Sequence, residues 1–157
     1  MMFRYNPILA DWVELFDTLG VTLDFSNCTN LQYCFYGVCA YRLGVINLSK
    51  ATSINSIFGS IPYLHTIDKV IVSESTSALE FGCPKLVNIT FEGVIAKNIK
   101  FTGTNNLSHD SIMSVINVLK DIKGTGTTLT ATFGETNLAK ITDAEKAIAT
   151  ERGWTLV

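Results

Sequence analysis

The residues with most chemistry to offer are four cysteines, Cys28, Cys34, Cys39 and Cys83, and two histidines, His65 and His109. A structural zinc shows paired ligands at short spacing, and no two of these cysteines stand in C-x-x-C order. A reactive thiol needs a base or an electropositive pocket to hold its thiolate. Cys34 and Cys39 instead lie in an apolar, tyrosine-rich stretch whose one basic residue is Arg42. The chain is also too large and too apolar to need disulfide staples. The expectation is reduced cysteines used as small core residues, with no metal and no cofactor.

His109-Asp110 has the types of a base and its orienter, but a triad also needs a nucleophile and an oxyanion site. The pair falls in the first turn of a predicted helix, where an acid favours the helix dipole. His65 reads as a loop residue between Leu64 and Ile67. Gly124-x-Gly126 is not followed by Lys-Ser/Thr and comes after a helix rather than a strand, so it is no phosphate loop. Nothing singles out two converging carboxylates of the glycosidase kind. Asn27, Asn47, Asn88 and Asn106 open Asn-x-Ser/Thr sequons, which read as products of a Ser/Thr/Asn-rich composition. No enzyme is expected; a hydrolase is the remote alternative.

The elements that would carry these residues are organised by a repeat. Phe35, Phe58 and Phe81 are spaced by 23 and 23 residues, and each opens a similar phrase. Before them, Phe25 to Leu31 aligns with Leu48 to Ile54, placing Cys28 over Ala51 and Leu31 over Ile54. Ser77 breaks that column, and the spacing shortens after Phe81. Each unit carries a short alternation: Leu23-x-Phe25, Ile46-x-Leu48, Val70-x-Val72, Ile89-x-Phe91 and Ile99-x-Phe101. Period-two alternation marks a strand with one buried face. A strand every 20-odd residues, with anchored connections, implies units that bury their apolar rows only by stacking. The expected fold is therefore α/β: a short solenoid with its parallel strands in one curved sheet and loops on the other side.

The phrase from Phe81 to Phe91, with its Phe, Cys83, Leu86, Ile89 and Phe91, and the 23-residue spacing resemble BspA-like leucine-rich repeats. The tail, with Leu107-Ser108-His109-Asp110-Ser111-Ile112-Met113, Thr136-Asn137-Leu138-Ala139-Lys140-Ile141-Thr142 and Gly153-Trp154-Thr155-Leu156, resembles the ends of such proteins in gut Firmicutes and their phages and prophages. The resemblance covers residues 21–157. It implies a leucine-rich-repeat binding scaffold of a bacterial surface or phage protein, and it carries over no catalytic residues.

Both ends read as caps on a single domain, residues 1–157. In 1–20, apolar positions from Ile8 to Leu19 form a helical stripe between Pro7 and Gly20, with Trp12 and Phe16 expected to lie on the first repeat. Residues 21–106 hold the degenerate repeats. Residues 107–157 switch to helix-strand-helix-strand units. Ser108 is the N-cap of a helix continuing through Ile122, and Thr128 to Phe133 is a strand. Thr142-Asp143-Ala144-Glu145 is a capping box, and Trp154 to Val157 is the last strand, an edge open to pairing with a second copy.

Composition limits the partners. The chain has 157 residues, 47% hydrophobic and 17% charged, with a net charge of −2. That supports a core and speaks against binding nucleic acid through phosphates. No apolar run approaches the ~20 residues of a membrane span. The opening residues, Met1 to Pro7, show no signal peptide, so the expectation is a cytoplasmic chain or a fragment of a surface or virion protein. The outward strand face is the expected binding surface, through Asp24, Asn47, Ser49, Lys69, Ser73, Asn88, Thr90, Glu92 and Lys100. That face lacks Trp, Tyr and Arg, the usual hot-spot residues. Tyr33, Tyr36, Tyr41 and Tyr63 near the repeat loops either supply contact area or pack between repeats. The expected function is non-enzymatic recognition of a protein or glycan. The alternative is a small intracellular phage-type inhibitor that grips a host protein.

Overall fold

A computed structural model describes residues 10–19 and 23–157. Two-residue β1 (Ala10–Asp11) leads into α1 (Trp12–Leu19), and β2 (Ala40–Asn47) and β3 (Thr66–Val72) follow. Next come β4 (Leu79–Phe81), β5 (Asn88–Gly93) and β6 (Ile99–Phe101). The remainder is α2 (His109–Asn117), β7 (Leu129–Thr132), α3 (Glu135–Leu138), α4 (Asp143–Glu151) and β8 (Trp154–Leu156). Among the described residues the architecture is α/β, with two four-stranded parallel sheets and no closed barrel. The first sheet runs β1-β2-β3-β5 and the second β4-β6-β7-β8.

This corrects the expectation of one sheet faced by loops. Ile99-x-Phe101 belongs to the second sheet, where it pairs with Leu79-Glu80-Phe81. Isolated parallel bridges, Asn30 with Ser53 and Phe58 with Phe81, continue that side among the earlier segments. Leu23 to Phe25 forms no strand; on the edge of β2 away from β3 the paired residues are Ala10 and Asp11. Pro7, Ile8, Leu9 and Gly20, expected to bound the cap helix, lie outside the described residues.

One aromatic column runs through the core. Phe35 stacks on Phe58 with centroids 6.0 Å apart, and Phe58 on Phe81 at 4.8 Å. The column continues from Phe81 to Phe101 at 4.8 Å and on to Phe133 at 5.5 Å, all with interplanar angles of 10° or less. Parallel pairing forces this: side chains at matched register stand one strand spacing, about 4.8 Å, apart. Trp12 and Phe25 close one end, each edge-on to Phe35. Trp12 is buried at 3% exposure. Asp11 caps α1 by accepting the Val13 and Glu14 N–H groups.

The paired offset is 24 residues from Arg42 to Thr66, 22 from Thr66 to Asn88, and 20 from Leu79 to Ile99. It jumps to 32 from Ile99 to Ala131 because α2 takes the place of the next strand of the first sheet. The edge of β5 is closed by helix side chains. Ser111 Oγ accepts the Ile89 N–H at 2.9 Å, and Ser114 Oγ accepts the Phe91 N–H at 2.7 Å. Two serines one helical turn apart thus serve as acceptors for strand donors that a β-neighbour would otherwise satisfy.

The expected caps of the C-terminal units form. Ser108 accepts the Ser111 N–H, and Thr142 and Glu145 make the full capping box. Arg152 Nη1 donates to the Ile116, Asn117 and Leu119 carbonyls and so closes the far end of α2. Within the second sheet β8 pairs with β7 alone, so it is an edge strand.

Candidate functional site

The nine residues expected to bind do not form one surface. Asp24 sits in irregular chain and turns back on itself, accepting the Ser26 N–H at 2.8 Å, which lowers its pKa. Asn47 does the same with the Ser49 N–H at 3.0 Å. Lys69 and Glu92 form an ion pair of 2.7 Å across β3 and β5. Ser73 donates to the Ser49 carbonyl, and Thr90 to that of Asp68. Asn88 is exposed at the start of β5. Lys100 lies on β6 in the second sheet, 3.7 Å from Glu80.

The polar row of the first sheet is therefore largely satisfied from within. Arg42 strengthens it: its guanidinium grips Asp68 through two bonds of 2.8 and 2.9 Å, and Asp11 lies 3.7 Å away. This bidentate pair holds the Arg42 pKa up. Sequence reasoning passed over it because Arg42 and Asp68 are 26 residues apart and become neighbours only once β2 and β3 are in register. A ladder of internal pairs is what a solvated sheet face requires, and it leaves few groups for a ligand.

The histidine pair has an architectural partner. His109 Nε2 lies 2.8 Å from Glu145 Oε1, and its Nδ1 lies 3.3 Å from Asp110. The hydrogen bonds to Asp110 and Glu145 raise its pKa. Glu145 is held down by the Thr142 N–H, then the Thr142 hydroxyl and His109. The cluster clasps the starts of α2 and α4 together. The nearby Ser108 and Ser111 hydroxyls bond each other, and Ser111 also donates to the Val87 carbonyl, so neither is poised as a nucleophile. His65 stacks on Tyr41 at 5.2 Å, just ahead of β3.

Cys34 and Cys83 are buried, and Cys28 and Cys39 are half-buried. Burial pushes the Cys83 thiol up to about 12, and its Sγ donates to the Phe58 carbonyl at 3.3 Å. A thiol so placed packs and does not react. Among the described residues, no three His, Cys, Asp or Glu side chains are grouped to hold a metal ion. No helix among them is long and apolar enough to cross a membrane.

Two open grooves with polar side chains lie among the described residues. One, of about 350 Å³, lies between β3, β5 and the start of α2, and contains Asp68, Asn88, Thr90 and Asp110. The other, of about 450 Å³, crosses the second sheet. Its walls come from four successive segments: Tyr33, then Asn55 and Ser56, then Glu80, then Asn98 and Lys100. Tyr33 is exposed and rests edge-on against Tyr36 with centroids 5.7 Å apart. Its N–H bonds the Asn55 carbonyl at 3.0 Å. Tyr33 has φ 55° and Ser56 φ 52°, two of the three non-glycine residues in the left-handed region among those described. Each such residue costs about 1–2 kcal/mol. Of the four tyrosines near the repeat loops, Tyr36 packs between segments, against Gly59, while Tyr33, Tyr41 and Tyr63 face solvent.

No family model matches the chain, and neither does a curated protein or a solved structure.

Proposed function

We propose that the chain is a short solenoid of the BspA-like leucine-rich-repeat type, acting as a non-enzymatic recognition module. It binds a protein or glycan through the surface of its stacked coils, as part of a bacterial surface or phage-derived protein. The stacking supports the scaffold half of this reading: parallel pairing recurs every 20–24 residues from Arg42 to Lys100, with one phenylalanine per coil in the stacked column. The observation that carries the recognition half is the groove crossing four coils, with exposed Tyr33 at one end and polar side chains along it that keep spare donors and acceptors. Rigid aromatic area beside adaptable amides and hydroxyls is the composition of recognition surfaces. Such surfaces favour ready-made scaffolds because little ordering entropy is lost on binding.

The test is affinity capture from bacterial lysate, with intact cells assayed in parallel. One variant carries Tyr33→Gly and Asn55→Ala in the groove, the other Lys69→Glu and Thr90→Arg on the first sheet. Capture abolished by the groove variant and kept by the sheet variant supports recognition through the groove. Binding to intact cells alone places the target on a surface, whereas capture of one soluble protein favours the intracellular inhibitor. Capture by neither, or turnover of a substrate by the isolated chain, overturns the reading.

A further inference from the structure

We propose that the groove formed by Tyr33, Asn55, Ser56, Glu80, Asn98 and Lys100 is a saccharide-binding site, an inference that rests on the recognition reading. A pyranose ring offers an apolar C–H face and a rim of hydroxyls that both donate and accept. Tyr33 supplies the matching flat surface, held in place by Tyr36 and by its own backbone bond to Asn55. The rim finds both kinds of partner. The Asn55 carboxamide has no hydrogen-bond partner among the described residues, and Asn98 uses its oxygen for the Thr130 N–H, which leaves its NH2 as a donor. Glu80 takes the Thr102 hydroxyl on Oε1 and keeps acceptor capacity. Lys100 Nζ, at 3.7 Å from Glu80, is too far away for a hydrogen bond and retains its donors.

Charge and backbone decide between ligand classes. Glu80 and Lys100 nearly cancel, which suits a neutral ligand and gives an anionic one no net attraction. A peptide adding as a strand needs an open row of backbone groups. Here the backbone is committed to the neighbouring coils, Tyr33 N–H to Asn55 and Leu79 N–H to Asn98. The volume of about 450 Å³ falls within the ligand-cleft range, about 300–1,000 Å³. Four coils at ~4.8 Å spacing give the groove a run of about 14 Å, long enough for a short oligosaccharide rather than a single ring. The strain points the same way: left-handed non-glycine residues concentrate at ligand clamps, and Tyr33 and Ser56 both line this groove.

The experiment is native-gel retardation of the whole chain by the soluble neutral polysaccharides mannan, arabinoxylan, β-glucan and starch, run in separate gels. Tyr33→Gly separates function from folding, because glycine relaxes the left-handed backbone while removing the ring. Retardation by at least one polymer is expected. It should weaken about tenfold or more in Tyr33→Gly and in Asn55→Ala, and persist in Tyr33→Phe and Lys69→Glu. Thermal midpoints of the variants should stay near that of the parent. No retardation by any polymer, or retardation indifferent to Tyr33→Gly, overturns the proposal. Capture of a protein that depends on the groove, with no retardation, overturns the saccharide site and leaves the recognition reading standing; failure of both assays removes both.

Discussion

Truncating Phe81 tests the aromatic column where it is most enclosed. Its ring is fully buried, stacks on Phe58 and Phe101 at 4.8 Å each, and meets Phe91 edge-on at 6.1 Å. Phe81→Ala removes the transfer energy of the ring and opens a cavity between rigid neighbours, together about 3–5 kcal/mol. Phe81→Leu keeps most of the apolar burial and loses the ring contacts, each about 0.5–1.5 kcal/mol, so it should cost about 2 kcal/mol. At about 2–4 °C per kcal/mol for a chain of this size, Phe81→Ala should lower the midpoint by about 6–20 °C. Tyr63→Ala, at an exposed ring, should stay within about 0.5 kcal/mol of the parent. Urea unfolding followed by far-ultraviolet circular dichroism reads all three. If Phe81→Ala fell within about 1 kcal/mol of the parent, the column would not hold the core and the reasoning would fail.

Three further outcomes follow from single contacts. Ser111→Ala strips the acceptor from the buried Ile89 N–H and should cost about 1–3 kcal/mol in urea unfolding. Gly93→Ala places a Cβ 1.9 Å from the Val72 carbonyl at φ 102°, so β3 and β5 must part; a loss of about 3 kcal/mol or more is expected by the same assay. The His109 clasp makes stability depend on pH. The raised His109 pKa contributes fully below its ordinary 6.5 and is lost as pH rises through the folded value. The lowered Glu145 pKa contributes above its ordinary 4.5 and is lost as pH falls through the folded value. The clasp is therefore complete between those two values. His109→Gln should flatten the decline in thermal midpoint on going from about pH 5.5 to about pH 9, and an unchanged decline would refute the clasp.

The column of Phe35, Phe58 and Phe81 was legible because equal spacing survives in the sequence, and Ile99-x-Phe101 pointed to its next member. Phe133 was harder, since α2 and the turns around it lengthen that coil. Only β4, three residues long, was too short to be read as a strand, and without it Ile99-x-Phe101 was placed in one sheet with the other alternations rather than beside Leu79 to Phe81. Lys100 went with it onto the first sheet's outward face. In β2 the buried residues Ala40, Leu43 and Ile46 come every third position rather than every second, so alternation alone does not mark this strand's buried face. α3 is a single turn behind Gly134 and leaves little periodic signal. The candidate groove was invisible for a different reason. Tyr33 and Lys100 stood out only singly and Asn55 and Glu80 not at all, and the four converge only when coils of unequal length are laid on one another.

The central claim, that the coils are separable stacked units, is tested most directly by cutting one out. Val45 and Ile46 pair with Lys69 and Val70, so deleting Val45 to Asp68 joins Gly44 to Lys69 in register and brings Phe35 onto Phe81. The measurement is thermal unfolding of the shortened chain by circular dichroism. Stacked coils predict one cooperative transition at a lower midpoint, because one nearest-neighbour interface is lost and the others are kept. A shortened chain with no cooperative transition would contradict the account.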